Sequence, residues 1–128
     1  MNYEEFNKYR NRNVIQNDST LVSATNAYQY HYETPIPDEL YHAIAMQCCD
    51  YYGIVKEYDK MLDILDLEYE YLYNFSYNPS DQKMPVEVCI MHKRYGLHSG
   101  LILEYNIEVD ALQITGLTQL SNKNGCKK

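Results

Sequence analysis

Two hydrophobic periods organise this chain. Between Pro35 and about residue 66, apolar side chains recur every three or four positions: Leu40, Tyr41, Ile44, Ala45, Cys48, Tyr51 and Tyr52, then Ile54, Tyr58, Met61, Leu62 and Leu65. That spacing collects apolar groups on one side of a helix. Pro37 suits a first helical position, and Asp38 and Glu39 complement the positive end of the helix dipole. Gly53 reads as a helix end or a kink. The pattern predicts one bent helix, or a helix pair, over about 37–66.

Beyond residue 66 the period falls to two. In LEYEYLYNFSY (67–77) the odd positions carry Leu67, Tyr69, Tyr71, Tyr73, Phe75 and Tyr77. Glu68, Glu70, Asn74 and Ser76 take the even ones, with Leu72 as the exception. Tyr and Phe also favour the pleated conformation, so 67–77 reads as a strand. Asn-Pro-Ser-Asp-Gln at 78–82 is turn chemistry. Val86, Val88 and Ile90 alternate next, Arg-Tyr-Gly-Leu-His-Ser-Gly (94–100) reads as a loop, and Leu101, Leu103, Tyr105, Ile107 and Val109 alternate again. Leu112 and Ile114 finish a shorter strand that Gly116 is expected to interrupt. Short connections imply an antiparallel β-meander over about 67–118 with one apolar side. Covering that side with the helices gives an α+β domain of two layers.

The N-terminal third is less regular. Residues 2–12 fit a short helix capped by Asn2, with Tyr3, Phe6 and Tyr9 on one side. Tyr28, Tyr30 and Tyr32 alternate with Gln29, His31 and Glu33, which favours a short strand. The expected organisation is a single domain over 1–121 and a disordered tail over 122–128.

Composition changes the picture in one respect: the chain has 15 Tyr against 2 Phe and no Trp. A phenol buries its ring but needs a partner for its hydroxyl, so tyrosines gather at boundaries and at recognition surfaces. Within 69–77, some tyrosines are expected in the core and those near strand ends are free to bind. Plentiful Tyr, Asn, Lys and Ile with few Arg and Ala hint at an AT-rich genome, such as that of a low-GC bacterium or its phages. The opening MNYEE does not resemble a signal peptide, and no stretch approaches the ~18 apolar residues of a membrane span. Adjacent Cys48 and Cys49, with Cys89 and Cys126, suit reduced thiols in a cytoplasm better than a disulfide framework.

Candidate chemistry is sparse. Cys89, His92, His98 and Cys126 superficially match zinc ligands, but residues three apart in a strand point to opposite faces, so no metal is expected. No Gly-rich phosphate loop, nucleophile elbow or HExxH occurs, and no cofactor is implied. Direct nucleic-acid binding is disfavoured because Glu68 and Glu70 line the strand richest in aromatics.

Charge is more informative. Residues 33–70 hold ten acidic and two basic side chains, a net of −8, while the rest of the chain is near neutral. If the helix ran through residue 66, Asp59, Asp63 and Asp66 would share one ridge. An acidic layer keeps a protein soluble, and it also attracts basic partners. The expected function is therefore a small acidic protein-binding module rather than an enzyme. Its concrete form is a phage or mobile-element inhibitor, anti-CRISPR-like in kind, that occupies a basic nucleic-acid-binding surface of a host protein such as a nuclease. The expected contacts are Asp59, Asp63, Asp66 and Glu70, with Tyr58 as a neighbouring exposed aromatic. A homodimer is compatible with the pattern. The alternative is a small enzyme or ligand-binding domain using His92 and His98 beside the 94–100 loop. Metal chelation should leave the thermal midpoint unchanged; stoichiometric zinc whose removal unfolds the chain would contradict the strand-based exclusion.

Overall fold

Helix α2 (Ser19–Tyr32) is buried along almost its whole circumference, with every residue from Leu21 to Ala27 and also Gln29 buried. It belongs to a computed structural model that describes residues 3–11, 17–71, 86–92, 96–102 and 113–122. Around α2 lie α1 (Tyr3–Phe6), α3 (Asp38–Cys48), α4 (Tyr58–Ile64) and the strands β1 (Leu67–Tyr71), β2 (Val86–His92), β3 (Gly96–Ile102) and β4 (Gln113–Asn122). All strand pairs are antiparallel. The chain is an α+β domain, with helices packed on an antiparallel sheet.

The core is one cluster drawn from both layers. Leu21, Ala24 and Ala27 of α2 meet Tyr41, Ile44 and Cys48 of α3, and Met61 and Leu62 of α4 with the following Leu65. Leu67 and Leu120 close the cluster from the sheet. Enclosure of α2 explains why its sequence lacks a clear apolar stripe: with cover on most sides, no face needs to be distinctly polar. It also explains why Tyr28, Tyr30 and Tyr32 form part of a helix and not the expected short strand. Tyr28 and Tyr32, one helical turn apart, bring their ring centroids to 4.9 Å, and Tyr30 meets Phe6 edge-on at 6.2 Å.

Burial obliges the polar groups of this helix to find partners inside the protein. Tyr41 O–H donates to Asp18 Oδ2 at 2.9 Å, and desolvation together with that bond raises the phenol pKa. The Ile36 N–H donates to Gln29 Oε1 at 2.8 Å, while Gln29 Nε2 donates to Asn26 Oδ1 at 3.0 Å. Asn11 N–H also donates to Asn26 Oδ1 at 2.8 Å, and Asn26 Nδ2 donates back to the Asn11 carbonyl at 3.2 Å. This reciprocal pair clamps the segment after α1 onto α2. The expected helix over 2–12 accordingly ends at Phe6, followed by turn residues 7–9.

The helix pair expected over 37–66 is two helices, not one bent helix. Cys49 pairs with Val55 in an isolated bridge, and the Lys56 and Glu57 N–H groups return to the Cys48 carbonyl at 2.7 and 3.1 Å. Tyr51, Tyr52 and Ile54 therefore leave the apolar stripe and stand exposed in the intervening turn. After α4 the chain turns through Asp66, which has a left-handed φ of 56°. Tyr32 O–H secures this turn by donating to the Asp66 carbonyl at 2.8 Å and to its Oδ2 at 3.2 Å. Burial and the bonded carboxylate push the Tyr32 phenol up to about 12.

Strand order in the sheet is β1-β4-β2-β3. The last strand thus inserts between the first and second, where a simple meander would have paired strands in sequence. Gly116 does not interrupt β4: the register shifts by one between Cys89 and Ile90, leaving Thr115 as an extra residue next to the glycine. Within the expected 94–100 loop, Gly96–Gly100 are strand, paired with Val88–His92, and residues 94–95 lie outside the described residues. Two glycines weaken the strand signal locally, yet pairing along β2 supplies the missing stability. Asn122, expected in the tail, pairs with Leu67. Positions 72–77 and 103–109 of the expected strands, and 123–128 of the tail, lie outside the described residues.

Gln29→Leu tests the enclosed polar network. The variant gains apolar burial but strands the Ile36 N–H, so urea unfolding should show a loss of about 1–3 kcal/mol. Unchanged or increased stability would mean the network does not hold α2 to the α3 approach.

Candidate functional site

Alternation along β1 separates two environments. Leu67 joins the core and Tyr69 lies at its rim, while Glu68 and Glu70 are exposed on the opposite face of the sheet. On the helical side, Asp59 and Asp63 stand one turn apart on α4, both exposed. The expected contacts therefore divide. Asp59 and Asp63 come together as anticipated, but Glu70 faces away from them. Asp66 lies past the end of α4, so it does not extend their ridge, and its carboxylate accepts from Tyr32. Tyr58 is half-buried, its O–H donates to Glu87 Oε1 at 2.8 Å, and its ring meets Tyr69 edge-on at 5.3 Å. It is an internal tether, not an exposed aromatic.

Connecting α3 to α4 is a turn that begins ahead of the break expected at Gly53. Gly53 N–H donates to the Asp50 carbonyl at 3.0 Å, and Asp50 N–H donates to the Ile54 carbonyl at 2.9 Å. Asp50 Oδ1 accepts from the Tyr52 and Ile54 N–H groups at 2.9 and 3.1 Å. Lys56 Nζ lies 3.8 Å from Asp50 Oδ2. Gly53 sits at φ 88°, a conformation that costs a residue with a Cβ. The turn displays Tyr51 at 92% and Tyr52 at 65% exposure, with ring centroids 5.3 Å apart and planes perpendicular. Asp50 with glycine three residues on is a turn signature that was available in the sequence. The four-residue periodicity concealed it.

The two histidines of the alternative reading lie in paired strands. His92 pairs with Gly96 and His98 with Ile90, both within the β2–β3 hairpin. Cys48 is buried and Cys49 half-buried, both as free thiols. Burial raises the Cys48 pKa and pushes Cys49 up to about 11, away from the thiolate that nucleophilic chemistry requires. No group of three or more His, Cys, Asp or Glu among the described residues is placed to hold a metal ion. No described helix is long and apolar enough to cross a membrane.

One group was not anticipated. Glu87 falls between Val86 and Val88, where alternation suggests a polar face, yet it is only 3% exposed. Its strand partners are Leu101 and Thr118, on the face that carries Leu120 and receives the helices. Tyr58 satisfies Oε1, whereas buried Oε2 has no hydrogen-bond partner among the described residues. Desolvation pushes the carboxyl up to about 7 against the opposing pull of the Tyr58 bond.

Compared with protein-family models, curated proteins and solved structures, the chain matches none. The surface itself must carry the functional reading.

Glu87 implies a specific pH dependence. Its folded pKa of about 7 lies above the ordinary value of 4.5, so between those values the folded state binds more protons than the unfolded state. Its contribution is fully present below about 4.5 and is lost as pH rises through about 7. His31 acts in the opposite sense: burial lowers its pKa, although Nε2–H donates to the Leu120 carbonyl at 2.9 Å, so its contribution is lost as pH falls below 6.5. Comparing Glu87→Gln with wild type at each pH isolates the carboxyl. The variant's relative stability should rise from pH 4.5 to 8 by roughly 3 kcal/mol, measured by urea titration. A pH-independent difference would show that Glu87 titrates normally.

Proposed function

We propose that the chain is a protein-binding module whose α3–α4 arm presents an acidic surface to a basic partner. The supporting observation is the exposure of Asp38, Glu39, Glu57, Asp59 and Asp63 on that arm, within a segment whose net charge is −8. An anionic surface of this kind raises the encounter rate with a cationic one and complements a surface that otherwise receives nucleic acid. The fitting partner is a basic, nucleic-acid-binding host protein such as a nuclease, and the fitting role is inhibition by occupying its groove. That reading places the activity in the host cytoplasm.

The proposed contacts are Asp59 and Asp63, with Glu57 beside them; all three are exposed. Rim carboxylates act mainly on association rate and on its salt dependence.

Reversing Asp59 and Asp63 to Lys tests this. Both side chains are exposed, so the thermal midpoint should stay close to that of wild type. Against a basic partner recovered from a nuclease-treated low-GC bacterial lysate, association should slow by about tenfold or more at low salt, with the difference shrinking as salt rises. Equal rates for wild type and variant at low salt would reduce the acidic arm to a solvated face.

A further inference from the structure

The Tyr51–Tyr52 turn combines three properties that ordinary surface tyrosines do not share. It exposes two adjacent rings, at 92% and 65%. Its backbone is held from several sides at once: by the Cys49–Val55 bridge, by the Asp50 and Gly53 hydrogen bonds, and by the Asp50 carboxylate. It also lies inside the most acidic part of the chain, between helices that carry exposed carboxylates. Neither ring is folded back against the core, although Tyr58 and Tyr69 nearby in the chain do pack together at the edge of the sheet. Exposed aromatic area on a rigid turn costs little conformational entropy when a partner arrives, which is how recognition loops use tyrosine.

We propose that this turn is an anchor for a guanidinium group, so that the basic partner of the acidic arm is engaged through arginine rather than through lysine. This step rests on the acidic-arm reading and specifies the chemistry of the partner at that surface. A cation placed over an aromatic ring is attracted by the negative face of the π-system. Guanidinium is planar and weakly hydrated, so it stacks on a tyrosine ring while its N–H groups remain available to carboxylates. Ammonium is compact and strongly hydrated and gains less from the same surface. The perpendicular arrangement of the two rings suits this role, because an edge-to-face contact uses one face of only one ring and leaves other faces open. Asp50 does not serve as the carboxylate partner, since its oxygens are committed to the turn and to Lys56. Asp59 of α4 is an exposed carboxylate in the same acidic arm.

The test uses the full chain, labelled with nitrogen-15 and titrated with a nine-residue arginine peptide and a lysine peptide of equal length. The arginine peptide should shift the Tyr51, Tyr52 and Gly53 amides along with those near Asp59 and Asp63, and it should bind about three- to tenfold more tightly than the lysine peptide. Replacing both tyrosines (Tyr51→Ala with Tyr52→Ala) should remove that preference while leaving lysine-peptide binding and the thermal midpoint unchanged. The corresponding Phe replacements keep the rings and should preserve the preference. Equal affinity for the two peptides, or shifts confined to Asp59 and Asp63, would overturn the anchor and leave the acidic surface standing. Failure of both peptides to bind at low salt would overturn the anchor and the acidic-arm reading together.

Discussion

The structure depends on the enclosure of α2. A helix covered by sheet, by α3 and by the segment after α1 buries apolar area on several sides, but it must also bury Ser23, Thr25, Asn26 and Gln29. Each such group would cost free energy if left without a partner. Asp18 and Tyr41 tie its start to α3, Gln29 takes the backbone of the chain approaching α3, and Asn11 and Asn26 hold the N-terminal segment. At its two ends, Ser19 Oγ accepts from the Ser99 N–H of β3 at 3.2 Å and His31 reaches the Leu120 carbonyl of β4. Because these bonds are directional, they fix how the layers sit, where apolar contact alone would tolerate sliding.

With α2 holding the interior, α3 and α4 are left as an outer arm. Their inner sides supply Ile44, Cys48, Met61 and Leu62 to the core, and their outer sides carry the acids. Repulsion among those carboxylates is tolerable because they face water, where screening weakens it over about 10 Å at ordinary salt. The turn between the helices carries its own internal bonds, so its exposed tyrosines are not the result of a loose loop. Surface charge and rigid aromatic display thus occur on the same arm, and the binding hypothesis draws on both.

Glu87 marks the opposite policy at the sheet. A carboxyl placed beside Leu101, Thr118 and the Tyr58 hydroxyl has, among the described residues, one hydrogen bond where an ionised group would need several. Raising its pKa is the protein's cheapest response, because a neutral acid avoids most of the desolvation cost. The Tyr58 tether links α4 to β2 at this carboxyl.

Period alone determined the fold class. A three-to-four spacing before residue 66 and a two-residue spacing after it are local properties, and β1 buries the face its own sequence makes apolar, Leu67 against Glu68 and Glu70. The acidity of 33–70 was equally legible, since helix surfaces expose their charged residues by default. Tertiary structure decided the rest. Tyr28, Tyr30 and Tyr32 read as a strand because an enclosed helix has no polar face to reveal its period. Tyr58 and Asp66 read as surface groups because their partners, Glu87 and Tyr32, lie 29 and 34 residues away in the chain. Strand order was similarly inaccessible, since β4 enters between β1 and β2 through pairings that no local pattern encodes. Tyr51 and Tyr52 kept the helical spacing, yet the bonds of the Asp50–Ile54 turn ended the helix before them and turned both rings outward.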